Sequence, residues 1–238
     1  MENFTIRVRT GAQLRKKKFR KNFFEVDSWE ENKLTCGVDE VGRGCLAGPI
    51  VTAAVVLFQG KISRLLKDSK LLTLPERLKA YRWITKRCWY SYSVLNHRAI
   101  DKINIYQATL ACMRRSVIQL IPTKCPYPLK SIVVDAMPLN LAGTVYSDIP
   151  VHYFPFGEKK SSSIAAASII AKVTRDELVK KLSLSFPQYK LAQHKGYSTK
   201  LHKEMIRTHR SSIIHRKTFL KKVVSNDENN DTKQQSIF

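Results

Sequence analysis

Gly37-Val38-Asp39-Glu40-Val41-Gly42-Arg43-Gly44 is the stretch on which the reading of this chain turns. It completes the apolar run LTCGVDEV over residues 34–41, which reads as a buried strand, and a glycine-rich turn follows at once. Two acids therefore sit between valines at the end of a strand. A carboxylate among apolar neighbours loses hydration and needs a partner, so Asp39 and Glu40 are candidates for chemistry rather than for solubility.

Working outward, residues 131–135 (SIVVD) form a second short apolar strand that also ends in a carboxylate, Asp135. Strand signals recur at 50–57, 88–95 and 151–156. Helical spacing is found after Pro75, over 99–120, over 161–184, which opens with serines that can cap it, and over 199–208. Alternating strands and helices predict an α/β fold with a mixed central sheet flanked by helices, followed by a C-terminal helical segment. Asp176 falls on the long helix, aligned with Ile169 and beside Val173, so it faces or borders the core. In open α/β sheets the carboxyl ends of strands converge on the crevice where ligands bind. Acids gathered there repel one another unless cations join them. Magnesium prefers oxygen ligands, and two such ions about 4 Å apart serve both oxygens of a phosphoryl displacement. On pattern alone, simple ion pairing with some of the 42 Lys and Arg residues remains the alternative.

The chain has 238 residues, 43% of them apolar, which is enough for a real core and excludes a disordered or collagen-like protein. Against 42 basic residues stand 19 acids, a formal charge of +23, and the partner expected for such a surface is a polyanion. No apolar run nears the roughly 18 residues of a membrane span, and the first residues lack a secretory h-region, so a soluble, cytoplasmic protein is expected. Five cysteines without a C-x-x-C pair read as reduced thiols. Residues 5–24 carry eight basic side chains and no acid, a basic arm, and residues 225–238 are polar and slightly acidic. The expected division is a basic extension at 1–33, a folded domain at 34–222 and a polar tail at 223–238. Between 178 and 222 the only acid is Glu204 against twelve basic residues, a segment suited to gripping duplex phosphates. His194, His202, His209 and His215 are expected in structural or phosphate-contact roles, because the carboxylates already offer the hard oxygens that Mg²⁺ prefers.

The motif 37–44 resembles the signature of ribonuclease HII. The likeness continues through Leu46-Ala47-Gly48-Pro49, Asp68-Ser69-Lys70, Ile103-Asn104-Ile105, Val134-Asp135, the run from Ile164 to Asp176, Phe186-Pro187 and His194-Lys195-Gly196-Tyr197. It spans roughly residues 34–222. The resemblance implies an RNase H-like fold in which Asp39, Glu40, Asp135 and Asp176 bind two Mg²⁺, or Mn²⁺ in their place. It also implies cleavage of RNA-DNA hybrids and of duplex DNA 5′ of an embedded ribonucleotide, leaving 3′-hydroxyl and 5′-phosphate ends, in ribonucleotide removal and RNA primer processing. Gly42, Arg43 and Gly44 carry over as the loop that reads the ribose 2′-hydroxyl, with Arg43 on the adjacent phosphate. Tyr197 carries over as the aromatic that packs on the following sugar, and Lys160 as a lysine near the scissile region. Lys172 and Arg175 share the Asp176 helix without an assigned role.

Four positions depart from the commonest family pattern: Cys45 for proline, Leu71 for a second lysine, Ala136 for glycine and Glu158 for aspartate. None is a predicted ligand; Cys45, beside the ribose-reading loop, is either a packing thiol or a point of oxidation sensitivity. Ribonuclease HIII is disfavoured, since its additional N-terminal sheet domain does not fit in the first 33 residues and Asp176 is not glutamate. The rival from another class is a non-catalytic binder of nucleic acid. The last residues, Gln234-Gln235-Ser236-Ile237-Phe238, resemble the short peptide that docks in the groove of the DNA sliding clamp. Gln234 would set its register and Ile237 and Phe238 would fill the pocket, although the second position is Gln rather than Leu. A monomer is expected.

Overall fold

The structure is a computed structural model and describes residues 20–60, 62–67, 69–120 and 127–220. Along the chain run α1 (Phe23–Glu30), β1 (Leu34–Val41), β2 (Ile50–Val56), α2 (Leu74–Arg87), β3 (Trp89–Leu95), α3 (His97–Ile118), β4 (Leu129–Asp135), β5 (Val151–Phe154), α4 (Gly157–Lys160), α5 (Ser162–Ser185), a 3-10 turn Pro187–Tyr189, α6 (Leu191–His194) and α7 (Lys200–His209). They form two compact units, one within residues 20–41, 51–94 and 109–173, the other within 42–50, 95–108 and 174–220.

The first unit is built on a five-stranded sheet of order β3-β2-β1-β4-β5. β1 pairs antiparallel with β2 and parallel with β4, and β4 pairs parallel with β5. This is the mixed sheet expected from the sequence. One face packs Val38, Val134 and Ala54 against Met113 and Val117 of α3, Leu120 just beyond it, and Leu139 and Leu141. The other face holds Val133 and Phe154 with Ile164 of α5 and Phe24 of α1. α5 comes so close to β1 that a Cβ on Gly37 would stand 2.2 Å from the backbone of Ser163, which is why the strand carries glycine there.

The expected extension at 1–33 is shorter than the sequence suggested. Phe24 is buried, and Glu25 is buried too, its Oε1 accepting from Ser161 Oγ (2.6 Å) and from Ser163 N (2.9 Å). Asn22 Oδ1 accepts from Ser162 N at 2.9 Å. Thus α1 caps the first turn of α5 and satisfies amides that a helix start leaves without partners. The charge run 5–24 hid this because its last residues belong to the folded body. The arm before residue 20, the tail after 220, Asp68 and Cys125 lie outside the described residues.

The second unit has its own core of Ala47, Val179, Tyr189, Leu191, Met205 and Ile214. The helix expected over 99–120 runs from 97 to 118 but is broken at Asn104, whose φ of 64° is not helical. The Asn104 Oδ1 accepts from Gln107 N at 3.0 Å, so this residue ends one helical segment and caps the next.

Candidate active site

The parallel pairing of β1 with β4 sets Val38 beside Val134, so the next residues, Asp39 and Asp135, stand side by side at the carboxyl ends of neighbouring strands. Strand alternation puts both on the face that receives α5 and sends Glu40 toward the other. Asp39 is 6% exposed. Burial foremost, and then the charges of Glu40 and Asp135, push its carboxyl well above the usual carboxylate range. Hydrogen bonds from the Glu40 N–H, at 2.7 Å, and from Ser168 pull the other way. Ser168 Oγ in turn lies 2.8 Å from Ser69 Oγ, so the Ser69 hydroxyl supports the one that orients Asp39. Asp135 is held separately: the Gly157 N–H donates to its Oδ1 at 2.7 Å, and a Cβ on Gly157 would crowd that oxygen at 3.0 Å. Among the described residues no three His, Cys, Asp or Glu side chains already enclose an ion-sized position. The donor set is nevertheless hard oxygen on rigid strand ends, the chemistry that suits a divalent cation such as Mg²⁺.

In the second unit Gly42, Arg43 and Gly44 begin the loop Gly42–Ile50, with Gly42 at φ 102° and Gly44 exposed. Arg175 of α5 is fully buried under this loop and donates from Nε to Pro49 O (2.9 Å), from Nη1 to Lys195 O (2.9 Å) and from Nη2 to Ala47 O (3.3 Å). Its guanidinium also lies 5.5 Å from the centre of the Tyr197 ring. Tyr197 is 36% exposed and forms an isolated antiparallel bridge with Cys45. Asp176, the residue after Arg175, is half-buried on α5, about two turns beyond Ser168.

The ribonuclease HII family model matches residues 36–222. This chain belongs to the ribonuclease HII family. Among its relatives, ribonuclease HII of Alkaliphilus metalliredigens is 38% identical over 208 residues, covering 85% of this chain and 99% of the relative. A Bacillus cereus ribonuclease HII is 42% identical over 209 residues, covering 85% and 77%. Of solved structures, ribonuclease H2 of Pyrococcus horikoshii matches with a TM-score of 0.66 at 26% identity, covering 81% of this chain and 98% of that one. Archaeoglobus fulgidus RNase HII, solved in complex with PCNA, matches with a TM-score of 0.61 at 25% identity over 77% and 94%. Bst-RNase HIII, solved with Mn²⁺, shares the fold at a TM-score of 0.66 and 21% identity over 82% and 70%. As a ribonuclease HII the protein is an endoribonuclease of the RNase H type, acting on RNA-DNA hybrids, and its family depends on divalent metal.

In this ribonuclease HII the structure brings Asp39 and Asp135 together, with Glu40 adjoining, and carries Lys160 on α4 in the same unit, its Nζ 5.2 Å from the centre of the Phe154 ring. Gly42, Arg43, Gly44, Tyr197 and Asp176 belong to the second unit. Three of the singled-out histidines, His194, His202 and His215, are buried together. His194 and His202 stack at 4.2 Å, and His202 Nε2 lies 3.2 Å from His215 Nε2. Burial pushes both His202 and His215 down to about 4. One expectation needs correcting. Arg216 counted among the bases that grip phosphate, but it is fully buried, and burial lowers its guanidinium to about 10. Ser69, Ser168, Gly157 and Arg216 were not singled out from the sequence as site-building residues. A buried arginine in a basic segment has no distinguishing pattern, and neither does a serine within a helix, as Ser168, or in a turn, as Ser69.

The departures from the family pattern fall into place unevenly. Ala136 has φ 53°, a left-handed conformation in which glycine is unstrained and alanine is not. Cys45 is fully buried, as a packing thiol is, and Leu71 is 73% exposed. Glu158 is buried in α4, and nothing in the structure explains its preference over aspartate.

Proposed function

We propose that Asp39, Glu40, Asp135 and Asp176 together hold two divalent cations, Mg²⁺ or Mn²⁺, and that the enzyme cuts on the 5′ side of a ribonucleotide embedded in duplex DNA. The products carry 3′-hydroxyl and 5′-phosphate ends. The observation that carries this reading is the Asp39–Asp135 pair, two acids on adjacent parallel strand ends of which one is desolvated and charged against its neighbours. Asp176 joins the set by its match to the family motif. When bound, the cations supply a nucleophilic water and neutralise charge on the phosphate. The chain holds the acids in place: the Gly157 N–H fixes Asp135, and Ser168, backed by Ser69, fixes Asp39. Backbone groups of Gly42, Arg43 and Gly44 meet the 2′-hydroxyl, the group that separates RNA from DNA, and Arg43 takes the adjacent phosphate. Tyr197 packs on the next sugar with Arg175 behind its ring, and Lys160 lies along the strand to be cut. Exposed Lys180, Lys181, Lys190, Arg207 and Arg210 bind duplex phosphates, so affinity falls with salt.

The reading extends to the cell. A monomeric enzyme whose folded body includes α1 would work in the cytoplasm, where ribonucleotides in DNA are removed. The Archaeoglobus relative solved with PCNA supports a sliding-clamp partner here too. The contact would be the tail peptide, Gln234, Ile237 and Phe238, which lies outside the described residues; deleting 234–238 is expected to abolish clamp affinity and leave cleavage intact. The test of the reaction is to map product ends from a labelled duplex with one ribonucleotide, in Mg²⁺ and in chelator. A single metal-dependent cut leaving a 3′-hydroxyl immediately before the ribonucleotide supports the reading, whereas cutting confined to long hybrids refutes the ribonucleotide assignment.

A further inference from the structure

We infer that Arg216 is a positioning residue for ribonucleotide recognition, setting the direction in which the amides of Arg43 and Gly44 face. The inference rests on the reading that residues 42–44 meet the 2′-hydroxyl. Arg216 is fully buried, and all four of its guanidinium bonds go to backbone carbonyls of one loop. Nη2 donates to Gly42 O (2.7 Å) and Gly48 O (3.0 Å), Nη1 to Arg43 O (2.8 Å) and Nε to Gly48 O (3.1 Å). No carboxylate within ion-pair distance neutralises it among the described residues. Its guanidinium also lies 5.2 Å from the centre of the Phe219 ring, and a buried cation held by carbonyl dipoles and an aromatic face loses much hydration, so its geometry is the more telling feature.

In a planar trans peptide the C=O of one residue and the N–H of the next point in opposite directions. Drawing the Gly42 and Arg43 carbonyls onto Arg216 therefore turns the Arg43 and Gly44 N–H groups to the far side of the loop. Two successive amides facing one way form a concave donor pair suited to an oxygen ligand. The guanidinium fork can span three carbonyls; a lysine ammonium, a point donor on a flexible stem, cannot reproduce that spread. The remaining bonds fix the frame of the loop. Arg216 N donates to Leu46 O (2.8 Å), Gly48 N to Ile214 O (3.0 Å), and Ala47 bridges His215. Arg175 holds the far end at Ala47 and Pro49. A Cβ on Gly42 would stand 2.2 Å from Arg175 Nε, so the loop rests directly on the two arginines.

The test is steady-state kinetics on a duplex with one ribonucleotide, with the identical all-DNA duplex as competitive inhibitor. Arg216→Lys is expected to raise KM at least about tenfold, the loss that follows from misdirected hydrogen bonds, while the Ki of the all-DNA duplex stays within about twofold. Arg210→Ala, on an exposed base of the same segment, is expected to raise KM and Ki together. Equal shifts of KM and Ki in Arg216→Lys, or no shift in either, overturn the inference. Amide exchange guards against a folding defect: faster exchange confined to residues 42–49 supports a positioning role, and faster exchange throughout the molecule contradicts it. Should the native enzyme itself show a KM equal to the Ki of the all-DNA duplex, the ribose-reading assignment of the loop fails first, a result distinct from failure at Arg216.

Discussion

The two units of this ribonuclease HII bury opposite charges. Among the described residues the sheet unit buries acids, Glu25, Asp39 and Glu158, and no arginine, whereas the second unit buries two arginines, Arg175 and Arg216, and no acid. A desolvated carboxylate beside other carboxylates is a site that a cation would relieve, so the sheet end is suited to metal chemistry. Desolvated guanidiniums bonded to carbonyls leave no net attraction for metal; instead they orient a backbone, so the loop unit is suited to recognition. The contrast teaches that buried charge differs in kind: the carboxylates around Asp39 repel one another, whereas the buried guanidiniums are satisfied by carbonyls.

The comparison breaks most decisively at Asp135. Asp135→Asn is expected to lower cleavage on the order of 10³-fold while hybrid affinity measured by fluorescence anisotropy changes little, since phosphate contacts come from elsewhere. If affinity falls in proportion, chemistry and recognition are not separated as described. On the other side, Gly42→Ala places a Cβ against Arg175 and forces alanine into φ 102°, so denaturant unfolding is expected to show a loss of about 2–3 kcal/mol. An unchanged midpoint would mean that the loop is not pinned.

A third test uses pH. His202 and His215 are held near 4 in the folded state against 6.5 when exposed, so the unfolded chain binds more protons between these values. Their contribution is therefore fully present above pH 6.5 and is lost as pH falls toward 4. Replacing His202 by Gln is expected to lessen the fall in Tm between pH 7 and pH 5; an identical fall in both proteins would assign acid sensitivity elsewhere. The smallest effect is expected at Ala136, where glycine relieves a left-handed backbone. Ala136→Gly is predicted to raise stability by up to about 1 kcal/mol without altering cleavage, read by thermal melting and initial rates.

Much of the chemistry was legible in the sequence because its signal is local. Asp39 and Asp135 each stand at or near the end of an apolar run, but the parallel pairing of their strands was not legible, because β2, α2, β3 and α3 separate them along the chain. The helix break at Asn104 was hidden, since its neighbours keep helical spacing on either side. The fold of residues 20–33 was masked by charge: Lys and Arg dominate the count, whereas the buried Phe24 and Glu25 decide the packing. Arg216 was the hardest to see. Its partners are carbonyls of residues 42–48, more than 160 positions away, and carbonyls leave no trace in side-chain identity.

The central claim, that paired acids at the sheet end perform the cleavage, is tested most directly by comparing the native chain with Asp39→Asn on a labelled DNA duplex containing one ribonucleotide, in Mg²⁺ or Mn²⁺. A single cut on the 5′ side of the ribonucleotide, absent in the variant although the variant still binds the duplex, is the predicted result. Cleavage that survives the loss of the Asp39 carboxylate, or binding without any cut by the native chain, would contradict it.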